Sequence, residues 1–433
     1  VSDTVVEPGV DRRREHWLTP WWRKVAAIIA VGFVVRVAFI WFVARGDGPL
    51  GDQLFYSAQA IKNSQGGWFE QPFAPGEPAA DHPPLTAFVL TPVTWMFEWT
   101  GSVVTIQRLF TAMVGALSIV LMALLGRQVG GPRVGLIAAG LTAVYANVWL
   151  NDGLIMAEAF TFALTVLLTM AVLRQLDAPS RRGSAVIGVL LGLLALTRPE
   201  FVLVGVLLAG LFALLPRGAP AWRERLVQIS VVAVVAIATI APWVIWNQVR
   251  FDGPVTISTN DGLTIAGANC DRTYFEDVGG WDIWCAYETE IPEGFDNAQA
   301  SALMRADGLA YWREHIDRYP VVAAARVARV LSVGYIGATA EAGTSEGRPV
   351  WASHLGMVQY WLLIPFAVIG FRRRATTEQR IVLLGCIPIV LAVALVANAY
   401  VRFRVPAEVG LVVLAALGID VVIARVQARR ESF

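Results

Sequence analysis

The sequence predicts an all-α integral membrane protein that crosses a bilayer about ten times and carries interfacial helices in two large extracytoplasmic loops. Three observations predict it. The 433 residues are 56% hydrophobic and only 16% charged, with a mean hydropathy of +0.56; a soluble chain carries about 25% charged residues to wet its surface. Apolar runs of spanning length, about 20 residues, recur along the chain. Arginines cluster in alternate connections, as they do in cytoplasmic loops. The net charge of +1 gives no reason to expect a nucleic-acid partner.

In chain order the long apolar runs are 25–44, 104–126, 134–150, 154–173, 226–246, 352–371, 380–398 and 405–424. Two shorter runs, 184–197 and 200–215, flank the polar step Thr197-Arg198-Pro199-Glu200 and read as a helix pair joined by a tight turn at the membrane face. Segment 85–99 is apolar but short and contains Pro92, and parity decides it. With a cytoplasmic N-terminus and a non-spanning 85–99, Arg12–Arg14, Arg23, Lys24, Arg127, Arg133, Arg174, Arg181, Arg182, Arg217, Arg223 and Arg225 all fall inside. So do Arg372–Arg374, Arg380, Arg425, Arg429 and Arg430, making 20 of the 35 basic residues. A spanning 85–99 would put every later cluster outside, so this segment is expected to lie in the outer interface.

Both termini are then cytoplasmic, and two long segments, 45–103 and 248–350, are extracytoplasmic. Such lengths exceed mere connection and point to function. Within the second, 308–335 reads as a further interfacial helix. No internal repeat or low-complexity linker divides the chain, so 1–433 reads as one membrane domain. The first apolar run is too long for a cleavable signal peptide. Lys24 and Lys62 are the only lysines; with the Ala, Val and Gly richness, this bias points to a GC-rich bacterial genome and hence a bacterial plasma membrane. Cys386 lies in an apolar run, whereas Cys270 and Cys285 share the second loop. In an oxidising compartment those two would form a disulfide; in a reducing one they remain thiols. No CxxC or Cys/His cluster suggests zinc.

The informative side chains are charged groups at the outer boundary, where ionisable residues are costly and are functional candidates by default. Asp52 follows the first span directly. It reads either as a general base whose basicity the apolar boundary raises, or as a helix N-cap. Asp81-His82-Pro83-Pro84-Leu85 holds an acid–base pair before a rigid double proline, or alternatively an N-cap before an interfacial helix. Glu158 is an isolated acid in a spanning helix. It would bind substrate or metal, or pair with Arg108 or Arg36. Arg198, Arg402 and Arg404 lie outside against the charge rule, so an anion at that face would explain them; non-specific lipid headgroups are the plainer alternative. Acids and arginines together suit chemistry on a phosphorylated lipid. A transporter or flippase would need polar groups through the whole membrane, and a non-catalytic fold relative in envelope assembly would need neither.

These motifs resemble the GT-C superfamily of membrane glycosyltransferases that use polyprenyl-phosphate-linked sugars, in the protein mannosyltransferase and aminoarabinose transferase-like branch. The resemblance rests on Asp52 with Tyr56, Pro83-Pro84-Leu85, Gln107-Arg108, Glu158, Leu196-Thr197-Arg198-Pro199-Glu200, Ala241-Pro242-Trp243 with Asn247, Ile257-Ser258-Thr259-Asn260-Asp261-Gly262 and Arg402-Phe403-Arg404-Val405-Pro406. It implies inverting transfer at the extracytoplasmic face, to a glycan, lipid or protein acceptor, with Asp52 as general base. Arg198, Arg402 and Arg404 would hold the donor phosphate. His82 stands where relatives often carry Lys, which makes phosphate binding there pH-dependent. Gln53 replaces the second acid that some relatives place after the catalytic Asp. Asp81 and Glu158 match positions that in relatives orient substrate or hold a divalent metal; no other cofactor is implied.

Overall fold

The computed structural model describes residues 20–214, 222–397 and 399–431. Arg12–Arg14 and Arg217, assigned above to the cytoplasmic side, lie outside them. The described residues are helical throughout apart from turns and one isolated bridge between Glu70 and Pro78.

The first span is α1 (Pro20–Phe39), continued by a wider turn to Ala44. Next come α2 (Asp52–Ser64), α3 (Leu85–Phe97) and the long α4 (Val103–Gly130). Pro132 opens α5 (Pro132–Val144), where its missing N–H costs nothing. Extended backbone at Tyr145 then turns the chain by 61° into α6 (Ala146–Asp152). There follow α7 (Ala157–Asp177), α8 (Arg181–Ala195), α9 (Val202–Leu214) and α10 (Trp222–Arg250). The second large loop folds as α11 (Asn260–Ala268), α12 (Ile283–Tyr287), α13 (Asn297–Glu314), α14 (Tyr319–Val330) and α15 (Ile336–Ala342). The closing helices are α16 (Val350–Arg373), α17 (Thr377–Leu384), α18 (Ile387–Val396) and α19 (Val405–Glu431).

Among the described residues seven helical segments are long and apolar enough to cross a membrane, or eight if the bent α5–α6 pair counts as one span. The expected ten is therefore approximate: it also counts α8 and α9, which are shorter. Segment 85–99 forms the 13-residue α3, too short to span. It leaves Phe88, Trp95, Met96 and neighbouring Trp99 exposed, the kind of aromatic surface that settles at a membrane interface. The expected helix over 308–335 is two helices, α13 and α14. Arg326 and Arg329 of α14 turn inward, where they bond the Ala268 and Leu395 carbonyls and the Asp277 carboxylate.

The core lies around the first half of α19, where Val405, Val409, Val412 and Val413 are all buried against α5, α7 and α16. Gly370 and Gly418 make the α16–α19 approach possible: a Cβ on either would run into the backbone of the other helix. Small residues at such crossings let apolar helices pack backbone to backbone. This packing gathers the start of α2, the first turn of α7, the α8–α9 turn, the loop before α16 and the α18–α19 turn at one end of the bundle.

Candidate functional site

At that end a cavity of about 800 Å³ opens, and Asp52, His82, Glu158, Arg198 and Arg402 all line it. Asp52 is the first residue of α2 and follows Gly51, whose φ of +55° favours glycine. A Cβ at Gly51 would press on the Glu346 carboxylate. Glycine thus allows the Asp52 N–H to donate to Glu346 Oε2 at 3.4 Å. Asp52 Oδ2 accepts from Arg402 Nη1 at 2.6 Å, and Oδ1 lies 3.7 Å from His82 Nε2. Burial pushes the Asp52 carboxyl up, but the Arg402 guanidinium and then His82 outweigh it and hold the pKa at about 2.

His82 is aimed by its surroundings. Its ring packs on Phe55 and Tyr56 with centroids 4.9 and 5.0 Å away. After the double proline, the Leu85 N–H donates to the Leu196 carbonyl at 3.0 Å, tying this segment to the turn that carries Arg198. Glu158, 1% exposed, sits in the first turn of α7. Its Oε1 accepts from Arg198 Nη1 at 2.8 Å and lies 3.7 Å from Arg402 Nη1. The expected partners are excluded: Arg36 pairs with Asp152 at 2.6 Å, and Arg108 bonds the Ala44 and Asp47 carbonyls. Both are spent inside the bundle before they reach the α7 start.

Arg198 also donates from Nε to Glu200 Oε1 at 2.6 Å. The Phe403 ring holds the two arginines together, with Arg198 and Arg402 at 4.3 and 4.9 Å from its centroid. Arg402 Nη2 meets Glu346 Oε1 at 3.0 Å, so one guanidinium serves Asp52, Glu158 and Glu346. Burial, with a smaller push from the Asp52 charge, raises the Glu346 pKa to about 7 against the pull of Arg402.

Two sequence candidates stand elsewhere. Arg404 is 3% exposed; its Nε donates to Glu408 at 2.6 Å, and Nη1 donates to the Val330 carbonyl and the Ser332 hydroxyl. It borders a separate, apolar cavity of about 310 Å³. The cause is local: residues 401–404 form a 3-10 turn, and side chains two apart on three residues per turn leave on different faces. Asp81 accepts from Gln71 at 2.8 Å and is not among the cavity-lining residues. Its pKa is raised by burial.

A divalent metal finds no ready-made cluster among the described residues. Among the described residues no group of three or more His, Cys, Asp or Glu is placed to hold one. Of the pair the resemblance offered, Glu158 is taken by guanidinia and Asp81 by an amide.

Glu346 escaped the sequence reading, although it satisfied the same rule as Asp52, an acid close to the end of an apolar run. Also unflagged were Trp281 and Tyr287, which wall the cavity from the second loop. Cys270 and Cys285 are bonded to each other, with Cα atoms 6.0 Å apart, and clasp this wall.

Comparison with known proteins gives a match over part of the sequence and a shared fold. The sequence model of the dolichyl-phosphate-mannose-protein mannosyltransferase family matches residues 81–246. That stretch holds His82, Glu158 and Arg198 but not Asp52 or Arg402. No curated protein sequence matches. Among solved structures, the archaeal oligosaccharyltransferase AglB from Archaeoglobus fulgidus, in complex with an inhibitory peptide and a dolichol-phosphate, aligns with a TM-score of 0.58 at 17% identity. The alignment covers 95% of this chain and 52% of that one. The same organism's oligosaccharyltransferase in complex with Zn and sulfate gives 0.53 at 15% identity, covering 93% and 50%. ArnT from Cupriavidus metallidurans bound to undecaprenyl phosphate gives only 0.46 at 14% identity, covering 93% and 78%. The chain spans about half the length of the archaeal enzymes. At these identities what is shared is the fold alone, that of the archaeal oligosaccharyltransferase.

Proposed function

We propose that this chain is a membrane glycosyltransferase. It moves a sugar from a polyprenyl-phosphate donor to an acceptor hydroxyl or amine at the extracytoplasmic face of a bacterial plasma membrane, with inversion. One observation carries the reading: an ionised carboxylate, Asp52, and two phosphate-matching guanidinia, Arg198 and Arg402, share the wall of one large cavity. A dolichol-phosphate bound to the archaeal relative is in keeping with such a donor.

The acceptor oxygen or nitrogen attacks the anomeric carbon as the bond from that carbon to the phosphate oxygen breaks. The departing electron pair stays on the phosphate, and the acceptor proton passes to Asp52. Charge therefore grows on the phosphate, where preorganised arginines stabilise the transition state. With a pKa near 2, Asp52 is ionised but a weak base while Arg402 lies against it. A donor phosphate that shares Arg402 relieves that hold and raises the basicity of Asp52 when a base is needed.

The test uses purified protein in lipid with polyprenyl-phosphate sugars and a bacterial envelope extract as acceptor. Asn at Asp52 preserves the shape of the carboxylate. Turnover should fall about 10²–10⁴-fold, the usual loss for a general base, with donor binding retained. Residual activity above about a tenth of wild type removes Asp52 as base.

A further inference from the structure

The cavity is lined by two kinds of segment. Leu203 of α9 and Ala392, Val393 and Val396 of α18 contribute apolar side chains from the helical bundle. The second loop contributes Trp281 and Tyr287 with Asn260, Asp261 and Thr264, and the apolar Leu263, Ile265 and Ile283. Asp52 and Arg402 line the same cavity. The bundle side chains suit a prenyl chain, which leaves the loop side chains for whatever receives the sugar.

That loop wall is held rigidly. Trp281 Nε1 donates to the Thr264 carbonyl at 3.1 Å, and its ring lies on Gly267, where a Cβ would strike it. The Asp282 N–H donates to the Gly267 carbonyl at 2.9 Å, and the Cys270–Cys285 bond closes the same segment. Tyr287, by contrast, is 59% exposed and free to meet a ligand. Asp261 is half exposed and already oriented by Ser301 and Arg305.

We propose that this loop wall is the acceptor subsite and that its ligand is a carbohydrate, its ring against Trp281 and Tyr287 and its hydroxyls toward Asn260 and Asp261. Aromatic faces offer the apolar C–H face of a sugar ring a large contact at low entropic cost, and amide and carboxylate oxygens accept from hydroxyls. A peptide is the poorer fit. Extended peptides bind by adding to a sheet edge or lying in a backbone-bonding groove. Here the wall backbone is helical and turn structure, and no sheet is present among the described residues. A lipid acceptor would favour the bundle side chains instead.

The inference rests on the transferase reading for the word acceptor, but its test is direct binding and needs no turnover. Full-length protein in lipid nanodiscs is titrated by calorimetry with soluble hexasaccharides of mannose, arabinose, galactose and N-acetylglucosamine, and with a mixed peptide pool as control. At least one oligosaccharide should bind. Tyr287→Ala should weaken it about tenfold, in the range lost with one aromatic contact, while Tyr287→Phe keeps it within about twofold of wild type. Trp281→Phe tests the second face; should that variant fail to fold, the exposed Tyr287 pair decides alone. Binding by no member of the panel, binding indifferent to Tyr287→Ala, or binding of the peptide pool alone overturns the proposal. Glycan binding in a chain whose Asp52→Asn variant keeps its turnover would leave this subsite standing and remove only Asp52 as base.

Discussion

Replacing Glu346 by Gln isolates a single ionisation whose size the structure sets. Glu346 titrates at its usual 4.5 when unfolded and at about 7 when folded. Between these values the folded chain holds a proton that the unfolded chain has released. The stability this contributes is full below 4.5 and is lost as pH rises through 7. A difference of roughly 2.5 units corresponds to about 3 kcal/mol, or about 1.4 kcal/mol for each pH unit within the window. The side chain is nearly buried, at 5% exposure, so solvent screening does little to reduce the effect. Gln keeps the shape without titrating, so its stability should not decline over this range for this reason. Thermal unfolding of both proteins in detergent, followed by tryptophan fluorescence from pH 5 to pH 8, should show wild type losing ground steadily to the variant. Asp52 does not confuse the comparison. Its pKa is lowered from 3.8 to about 2, so its contribution is present above 3.8 and lost only as pH falls through 2. Parallel curves for the two proteins across the window would refute the argument, because they would mean that Glu346 is ionised in the folded state as readily as in water.

The buried Arg36–Asp152 pair predicts a second result. Asp152→Asn leaves a guanidinium unpaired inside the bundle and should cost about 3–5 kcal/mol, whereas Arg36→Met with Asp152→Leu should recover most of that loss; melting of wild type, the single and the double variant checks it. Gly262→Ala should destabilise by about 1–3 kcal/mol, because its new methyl would enter the Ser301 backbone of α13. An unchanged melting temperature there would mean that α11 and α13 are not packed so closely.

Much of this molecule is readable from local sequence. The runs at 104–126 and 154–173 became helices at Val103–Gly130 and Ala157–Asp177, within a few residues at either end. The cost of putting ionisable groups near hydrocarbon was enough to single out Asp52, His82, Glu158, Arg198 and Arg402, and the fold brings all five to one cavity. The same rule also marked Arg404, two residues from Arg402, and could not tell that a 3-10 turn sends it to Glu408. Glu346 obeyed the rule too, but it sat in a long loop without an interpretable motif.

The sequence by itself determined the all-α membrane class, the approximate number of spans and the short list of costly charges, because each depends on apolar length and charge within one stretch of chain. Tertiary structure alone decided the partners. Glu158 bonds Arg198 rather than Arg36 or Arg108, and Arg402 reaches Asp52 across 350 residues. Electrostatic attraction is strong enough to reward any such pairing in a low-dielectric interior, but it does not choose among them. The choice falls to which helix ends are brought together by backbone contacts such as those at Gly370 and Gly418, and contacts of that kind join residues far apart in sequence.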